Sequence, residues 1–200
     1  MDANGWNARY TGQELVWSAG PNRFVAEEVA GLAPGTALDV ACGEGRNAIW
    51  LAQQGWRVQA VDFAAAGVDK GRRLAEQAGV DIEWVVADVV SYRPPSRFDL
   101  VLIAYLHLQP PHCAVMVRNA VDVLAPGATM LVVGHHVDNL DSGVGGPTDR
   151  QVLHDPATIV DVVTDAAGDV EVIKAARVER PVDGADRPAL DSLVRLHRRS

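Results

Sequence analysis

An α/β fold, a mostly parallel sheet with helices on both faces, is what this sequence predicts, and three observations carry the expectation. An apolar run, Ala37-Leu38-Asp39-Val40-Ala41-Cys42, ends in two glycines one residue apart, Gly43 and Gly45. An amphipathic segment through Ala48, Ile49, Leu51 and Ala52 then stops at Gly55 and leads to a second apolar run, Val58, Ala60 and Val61, closed by Asp62. Strand, glycine turn, helix, strand and acid make one βαβ unit. Downstream, strand and helix signals keep alternating, which favours parallel strands joined by crossover helices.

Each element has its own signal. Trp6, Arg9, Tyr10 and Trp17 precede the first expected helix, which begins near Pro21 and packs by Val25, Val29 and Leu32. After the βαβ unit, a helix over 68–78 ends at Gly79, which suits a left-handed cap. Residues 82–87 read as strand three and the apolar run 98–104 as a buried strand four. Pro110-Pro111 forces a break. The next helix shows Val117, Ala120, Val121 and Leu124 at helical spacing. Strand five is expected over 129–134, a helix over 156–166, and two late strands over 170–178 and 190–196 as an antiparallel pair. The sum is a Rossmann-like seven-stranded sheet with its last strand antiparallel, in one domain over 1–200 whose first 35 residues form a covering segment and helix.

Bulk properties narrow the function. A chain of 200 residues buries about 70% of its extended surface, enough for a substantial core. A net charge of -8 argues against a phosphate-binding surface, and the basic clusters Lys70-Gly71-Arg72-Arg73 and His197-Arg198-Arg199 form no stripe. The start Met1-Asp2-Ala3-Asn4-Gly5 lacks the basic and apolar regions of a secretory signal, and no uncharged apolar stretch approaches membrane length. Cys42 and Cys113 make neither a disulfide framework nor a zinc pattern. The expectation is a cytoplasmic protein with a small-molecule partner, no nucleic acid and no membrane, acting as a monomer or homodimer.

The glycines let backbone approach a ligand closely, the helix N-terminus offers unpaired N–H groups, and Asp62 can take a ribose diol. Phe63, next to it, would cover an adenine ring. The ligand expected is a nucleoside-containing cofactor. Gly43-x-Gly45-x-x-Ala48 also satisfies the dinucleotide fingerprint, so an NAD-linked oxidoreductase is one alternative. Two features point elsewhere: Asp39 four residues before the first glycine with Cys42 directly preceding it, and Val123-Leu124-Ala125-Pro126-Gly127-Ala128-Thr129-Met130-Leu131. Together they resemble class I S-adenosylmethionine-dependent methyltransferases. Trp6-Asn7-Ala8-Arg9-Tyr10 and Cys42-Gly43-Glu44-Gly45-Arg46-Asn47 narrow the likeness to the small bacterial tellurite-resistance methyltransferases, relatives of thiopurine methyltransferases.

The resemblance implies S-adenosylmethionine as cofactor, with Asp39, Gly43, Gly45 and Asn47 in its turn, Asp62 and Phe63 on the nucleoside, Asp88 reaching the adenine amino group and Val89 on the ring. As a loop acid Asp88 would also be unremarkable. The resemblance also places the loop after strand four, beginning at Ala104, beneath the transferable methyl. Tyr10 and Trp17 would close over the cofactor and offer aromatic faces to its cation; they equally suit a cap on the sheet edge. That loop carries Tyr105 and His107, and strand five ends in His135-His136. A hydroxyl acceptor needs a base, for which His107 comes first and His135 or His136 second; a backbone-satisfied histidine is the plainer reading. No metal is expected, because consecutive histidines on an extended chain point oppositely. The glycine-rich stretch 137–149 is a candidate lid. The function expected is methyl transfer to a small-molecule hydroxyl, of a sugar or natural product, with a thiol or chalcogen acceptor as the alternative; a non-catalytic cofactor sensor would lack the base.

Overall fold

The computed structural model describes residues 2–12, 15–16 and 20–200, which pack as two units, Met1–Leu102 and Ile103–Ser200. The first unit opens with α1 (Ala3–Tyr10), capped by Asp2, whose carboxylate accepts from Gly5 N–H at 2.9 Å. This helix is not legible in the sequence, because its eight residues include Asn, Gly and aromatics and carry no clear apolar stripe. Tertiary contacts hold it: Asn7 Oδ1 accepts from Ala66 N–H at 2.9 Å, and Tyr10 is buried. α2 (Arg23–Val29) starts two residues after Pro21, capped by Asn22, with Val25 and Val29 buried as expected.

β1 (Thr36–Val40) leads through the glycine turn into α3 (Arg46–Gln53), β2 (Arg57–Asp62), α4 (Ala65–Ala78) and β3 (Ile82–Val86). The three strands pair in parallel, Asp39 opposite Ala60 and Asp62 opposite Val86. α4 ends at Gly79 with φ 68°, the left-handed cap expected. At the turn, Ala41, Gly43 and Gly45 have φ of 58°, 56° and 78°, a conformation that glycine adopts without strain and alanine does not. Gly45 also meets a neighbour: a Cβ there would lie 2.3 Å from the ring end of Trp84. The same ring end lies 2.5 Å from a Cβ built at Gly71, so β3's Trp84 fills the space that two glycines leave.

β4 (Phe98–Ala104) has the expected bounds, and Asp99 at its start accepts from Thr36 N–H and Oγ1–H at 2.7 and 2.8 Å. In the second unit α5 (Pro110–Asp122) uses both prolines in its first turn, where a missing N–H costs nothing. β5 (Leu124–His135) starts five residues earlier than expected, running through the Pro126-Gly127 stretch. α6 (Asn139–Ser142), a short 3-10 turn and α7 (Pro156–Ala166) follow, then β6 (Val170–Arg180) and β7 (Ala189–Arg198). β7 runs antiparallel to both β5 and β6, and the sheet order is β3-β2-β1-β4-β5-β7-β6, the Rossmann-like seven-stranded arrangement expected. Among the described residues no helix is long and apolar enough to cross a membrane.

The Gly45–Trp84 contact has a direct consequence. Gly45→Ala adds both a strained φ and a steric clash, so it should destabilise the protein by more than ~1 kcal/mol in urea unfolding. In a Trp84→Leu background the same substitution should cost less, because the ring end is gone. Equal costs in the two backgrounds would show that the ring does not occupy that space.

Candidate active site

In the first unit two carboxylates converge on the glycine turn. Asp62, at the end of β2 and 5% exposed, accepts from Gly43 N–H at 2.9 Å on one oxygen and from Ala64 N–H at 2.8 Å on the other. Burial raises its pKa against the opposing bonds from Ala64, Gly43 and Phe63. Two carboxylate oxygens offer about four acceptor positions, so capacity for ligand hydroxyls remains. Asp39, on β1, is 1% exposed, and its Oδ2 is sealed without a hydrogen-bond partner. Burial pushes its pKa up to about 7, with Asp62 adding to the shift and the Ala48 N–H opposing it. The spare acceptor positions of Asp62 suit hydroxyl donors, and two buried carboxylates close together favour positive charge nearby. The residues present therefore fit a cationic nucleoside.

The remaining cofactor candidates have varied surroundings. Asn47 is buried on α3 and its Oδ1 accepts from Asn22 N–H at 2.9 Å, so it ties the start of α2 to the turn. Tyr10 packs near the turn: a Cβ on Gly67 would lie 3.0 Å from both its ring and the Gly43 carbonyl. Trp17 lies outside the described residues. Phe63 is half-buried after β2, and Asp88 is exposed, its Oδ1 accepting from Val90 N–H at 2.9 Å with Val89 between them. Glu44, between the two glycines, forms a buried ion pair with Lys70 at 2.6 Å and accepts from Val16 N–H at 3.0 Å. Sequence reading passed over this pair; a lone lysine on the inward face of α4 was its only signal.

The second unit holds a separate polar cluster. β-pairing sets His135 directly opposite Asp191, and Asp191 opposite Val178 with Arg180 on the same face two residues on. Asp191 is fully buried. Its Oδ2 accepts from Tyr105 O–H at 2.6 Å and Arg180 Nε–H at 2.7 Å. Its Oδ1 lies 3.2 Å from His135 Nδ1, close enough for an ion pair but off the axis of an aligned hydrogen bond. Burial alone would raise the Asp191 carboxyl; His135, Arg180 and Tyr105 outweigh it and hold it below the usual range. Tyr105 follows Ala104, the half-buried end of β4, and sits at φ 57°, a strained angle for a bulky side chain. Its N–H donates to the Val133 carbonyl at 2.7 Å, which with the phenol bond secures the turn.

The histidines divide by their hydrogen bonds. His107 Nε2 accepts from His135 N–H at 3.1 Å and its other nitrogen bonds the Tyr105 carbonyl, so both ring nitrogens are engaged. Its ring lies 5.4 Å from that of His135 and 5.1 Å from that of His154. Burial, then the neighbouring His154 and His135, lower its pKa to about 3. His136 Nδ1 accepts from Asp138 N–H at 3.0 Å. His135 Nε2 makes no hydrogen bond with any described residue, and it is not sealed from solvent. His154, Asp191 and Arg180 were not singled out from sequence; only Asp191, an acid inside the apolar run of β7, carried a readable signal. The glycine-rich stretch is anchored rather than loose. Asn139 Oδ1 accepts from Leu190 N–H at 2.7 Å while its Nδ2–H donates to the Gly145 carbonyl at 2.8 Å.

Residues 37–127 match the family described as a methyltransferase domain. The ubiquinone biosynthesis O-methyltransferase of Serratia proteamaculans (strain 568) is 28% identical over 106 residues, 52% of this chain and 44% of that protein. The chain spans about half the length of the curated relatives it matches. The structure described as "Conversion of a Disulfide Bond into a Thioacetal Group during Echinomycin Biosynthesis" superposes with a TM-score of 0.76 at 20% identity, covering 99% of this chain and 93% of that one. N-methyltransferase NodS from Bradyrhizobium japonicum WM9, in complex with S-adenosyl-l-homocysteine, gives 0.75 at 14% identity over 99% of this chain and 98% of NodS. The fold is that of these proteins.

His154 makes a testable link between the cluster and stability. It is 4% exposed, its Nε2–H donates to the Leu106 carbonyl at 2.9 Å, and burial lowers its pKa to about 4 from 6.5. The unfolded chain therefore takes up this proton first as pH falls, and the stability His154 contributes above pH 6.5 is lost progressively toward pH 4, about 2 kcal/mol of it by pH 5. Asp39 acts oppositely, its raised pKa favouring the folded state at low pH and losing that contribution as pH rises toward 7. The test is therefore a difference: the stability gap between wild type and His154→Gln should shrink by about 2 kcal/mol between pH 7.5 and pH 5. A gap independent of pH would show that His154 is not held neutral.

Proposed function

We propose that this chain, which carries a methyltransferase domain over residues 37–127, uses S-adenosylmethionine to methylate the hydroxyl of a small molecule, with His135 as the base. S-adenosylmethionine supplies a methyl group on a sulfonium, so the protein has chiefly to bind, align and exclude water. In this reading Asp62 accepts the ribose hydroxyls beside the Gly43 and Gly45 turn, and Asp39 supplies negative charge to the cationic end. Asn47 holds the turn, Tyr10 covers it, and Phe63, Asp88 and Val89 receive the adenine. Ala104 lines the methyl side of the loop after β4. A cytoplasmic monomer or homodimer without nucleic-acid or membrane partners belongs to the same reading.

The hydroxyl assignment rests on one observation: a fully buried Asp191 stands 3.2 Å behind His135 Nδ1, while His135 Nε2 reaches solvent. That is the arrangement of an oriented base. Nε2 takes the acceptor proton, and Asp191 stabilises the imidazolium that results. Tyr105 and Arg180 fix the carboxylate. His107 and His136 already spend a ring lone pair on backbone N–H groups, so they suit positioning better than proton transfer. The ubiquinone biosynthesis relative, named an O-methyltransferase, supports a hydroxyl acceptor. A sulfur or chalcogen acceptor is the second reading: the tellurite-type motifs favour it, and it needs no base.

Two substitutions test the halves separately. Asp62→Ala should weaken S-adenosylmethionine binding about tenfold to a hundredfold in calorimetry, since charge-assisted hydrogen bonds contribute roughly 1.5–3 kcal/mol; unchanged affinity in a folded variant would remove Asp62 from the cofactor site. His135→Ala should lower turnover of a hydroxyl acceptor about a hundredfold while leaving cofactor affinity alone. If His107→Ala alone destroys turnover, the base is His107. If neither variant slows the reaction, the acceptor needs no base and the sulfur or chalcogen reading stands.

A further inference from the structure

We propose that Arg180 selects the acceptor, and that the acceptor carries a carboxylate near the group that receives the methyl; the hydroxyl part of this rests on the function proposed above. Arg180 bonds Asp191 Oδ2 at 2.7 Å and the Tyr105 phenol at 3.1 Å, both through Nε. Its guanidinium carbon lies 5.7 Å from the centre of the Tyr105 ring, within reach of a cation–π contact. A guanidinium serving only to neutralise a carboxylate would turn its paired N–H groups onto both oxygens. Here Oδ1 faces His135 instead. The two terminal nitrogens of Arg180 make no hydrogen bond with any described residue and are not sealed from solvent.

Their surroundings favour an anion. The side chain is 26% exposed, so a charged partner there meets less water than on an open surface. Asp191 and Arg180 cancel each other, so an incoming carboxylate meets no net negative charge from this pair. The planar fork matches a carboxylate in two parallel bonds. Arg180 and His135 share Asp191 as their anchor, one on each oxygen, so the fork and the outer imidazole nitrogen are held to one rigid part. Binding the acid through the fork would orient a neighbouring hydroxyl for His135. Arg177, three residues earlier on β6, differs in that its terminal nitrogen is paired with Asp138 at 2.5 Å.

The test uses matched acceptors with S-adenosylmethionine: salicylate against salicyl alcohol, and thiosalicylate against the corresponding thiol alcohol. The readout is the acid-to-alcohol ratio of kcat/KM. A charge-assisted bidentate contact should give the wild type a preference of about tenfold to a hundredfold for the acid. Arg180→Gln should bring the ratio close to one, Arg180→Lys should leave part of it, and Arg177→Gln should keep it. Loss of Asp191 positioning would slow acid and alcohol together and leave the ratio unmoved, so the ratio separates selection from support. A preference for acid in the thiol pair alone would keep Arg180's role and overturn the hydroxyl reading. Equal use of acid and alcohol in the pair that reacts would overturn the proposal. So would a failure of all four to react, together with calorimetry in which the S-adenosylhomocysteine-loaded protein binds neither acid more tightly than its alcohol.

Discussion

A carboxylate with no water around it must find donors, and in the second unit Asp191 is that carboxylate. An unpaired buried charge costs several kcal/mol, so Asp191 needs partners close by. Its Oδ2 accepts from the Tyr105 phenol just after β4 and from the Arg180 guanidinium on β6, and its Oδ1 stands 3.2 Å from the His135 ring on β5. Tyr105 accepts a left-handed backbone angle to deliver its hydroxyl, a strain of order 1–3 kcal/mol that its two hydrogen bonds offset. The same bonds leave one imidazole nitrogen and one guanidinium fork pointing away from their anchor.

The first unit supplies its buried carboxylates with other partners. Asp62 is satisfied by the N–H groups of Gly43 in the turn and Ala64 after β2, and Glu44 by Lys70 and Val16. Asp39 is left with one oxygen unpartnered. Natural folds seldom keep such an atom without a use for it, because each buried orphan costs stability. A cationic ligand is the use that the fold and the glycine turn suggest. Tight backbone at Ala41, Gly43 and Gly45 belongs to the same arrangement, since the turn that points the Gly43 N–H at Asp62 needs left-handed angles at these three residues.

The parts that the sequence displays are those set by local patterns. The continuous apolar run over 98–104 placed β4 to the residue, the helix expected over 156–166 coincides with α7, and the glycine at 79 marked the end of α4. α1 escaped notice because its stability comes from Asn7 and Tyr10 meeting α4, contacts between residues far apart in the chain. The start of β5 was misplaced because Pro126 and Gly127 read as a turn before the strand, whereas the strand already runs from Leu124. In the site, His107, His135 and Tyr105 were visible as chemistry-bearing residues at strand ends. Their division of labour was not, because it depends on which nitrogen meets which backbone group. Asp191 and Arg180 lie late in the chain, and only the β5–β7 and β7–β6 registers bring them to His135.

The central claim is that Asp191 fixes His135 so that its outer nitrogen carries the lone pair. Long-range proton–nitrogen NMR of histidine-labelled protein at neutral pH reads the tautomer of each ring. The account predicts His135 protonated at Nδ1 with bare Nε2, unlike His154, whose proton sits on Nε2 against the Leu106 carbonyl. Asp191→Asn should abolish the His135 preference and leave His154 as it was. A proton on Nε2 of His135 in the wild type would leave no base facing outward, and would contradict the account.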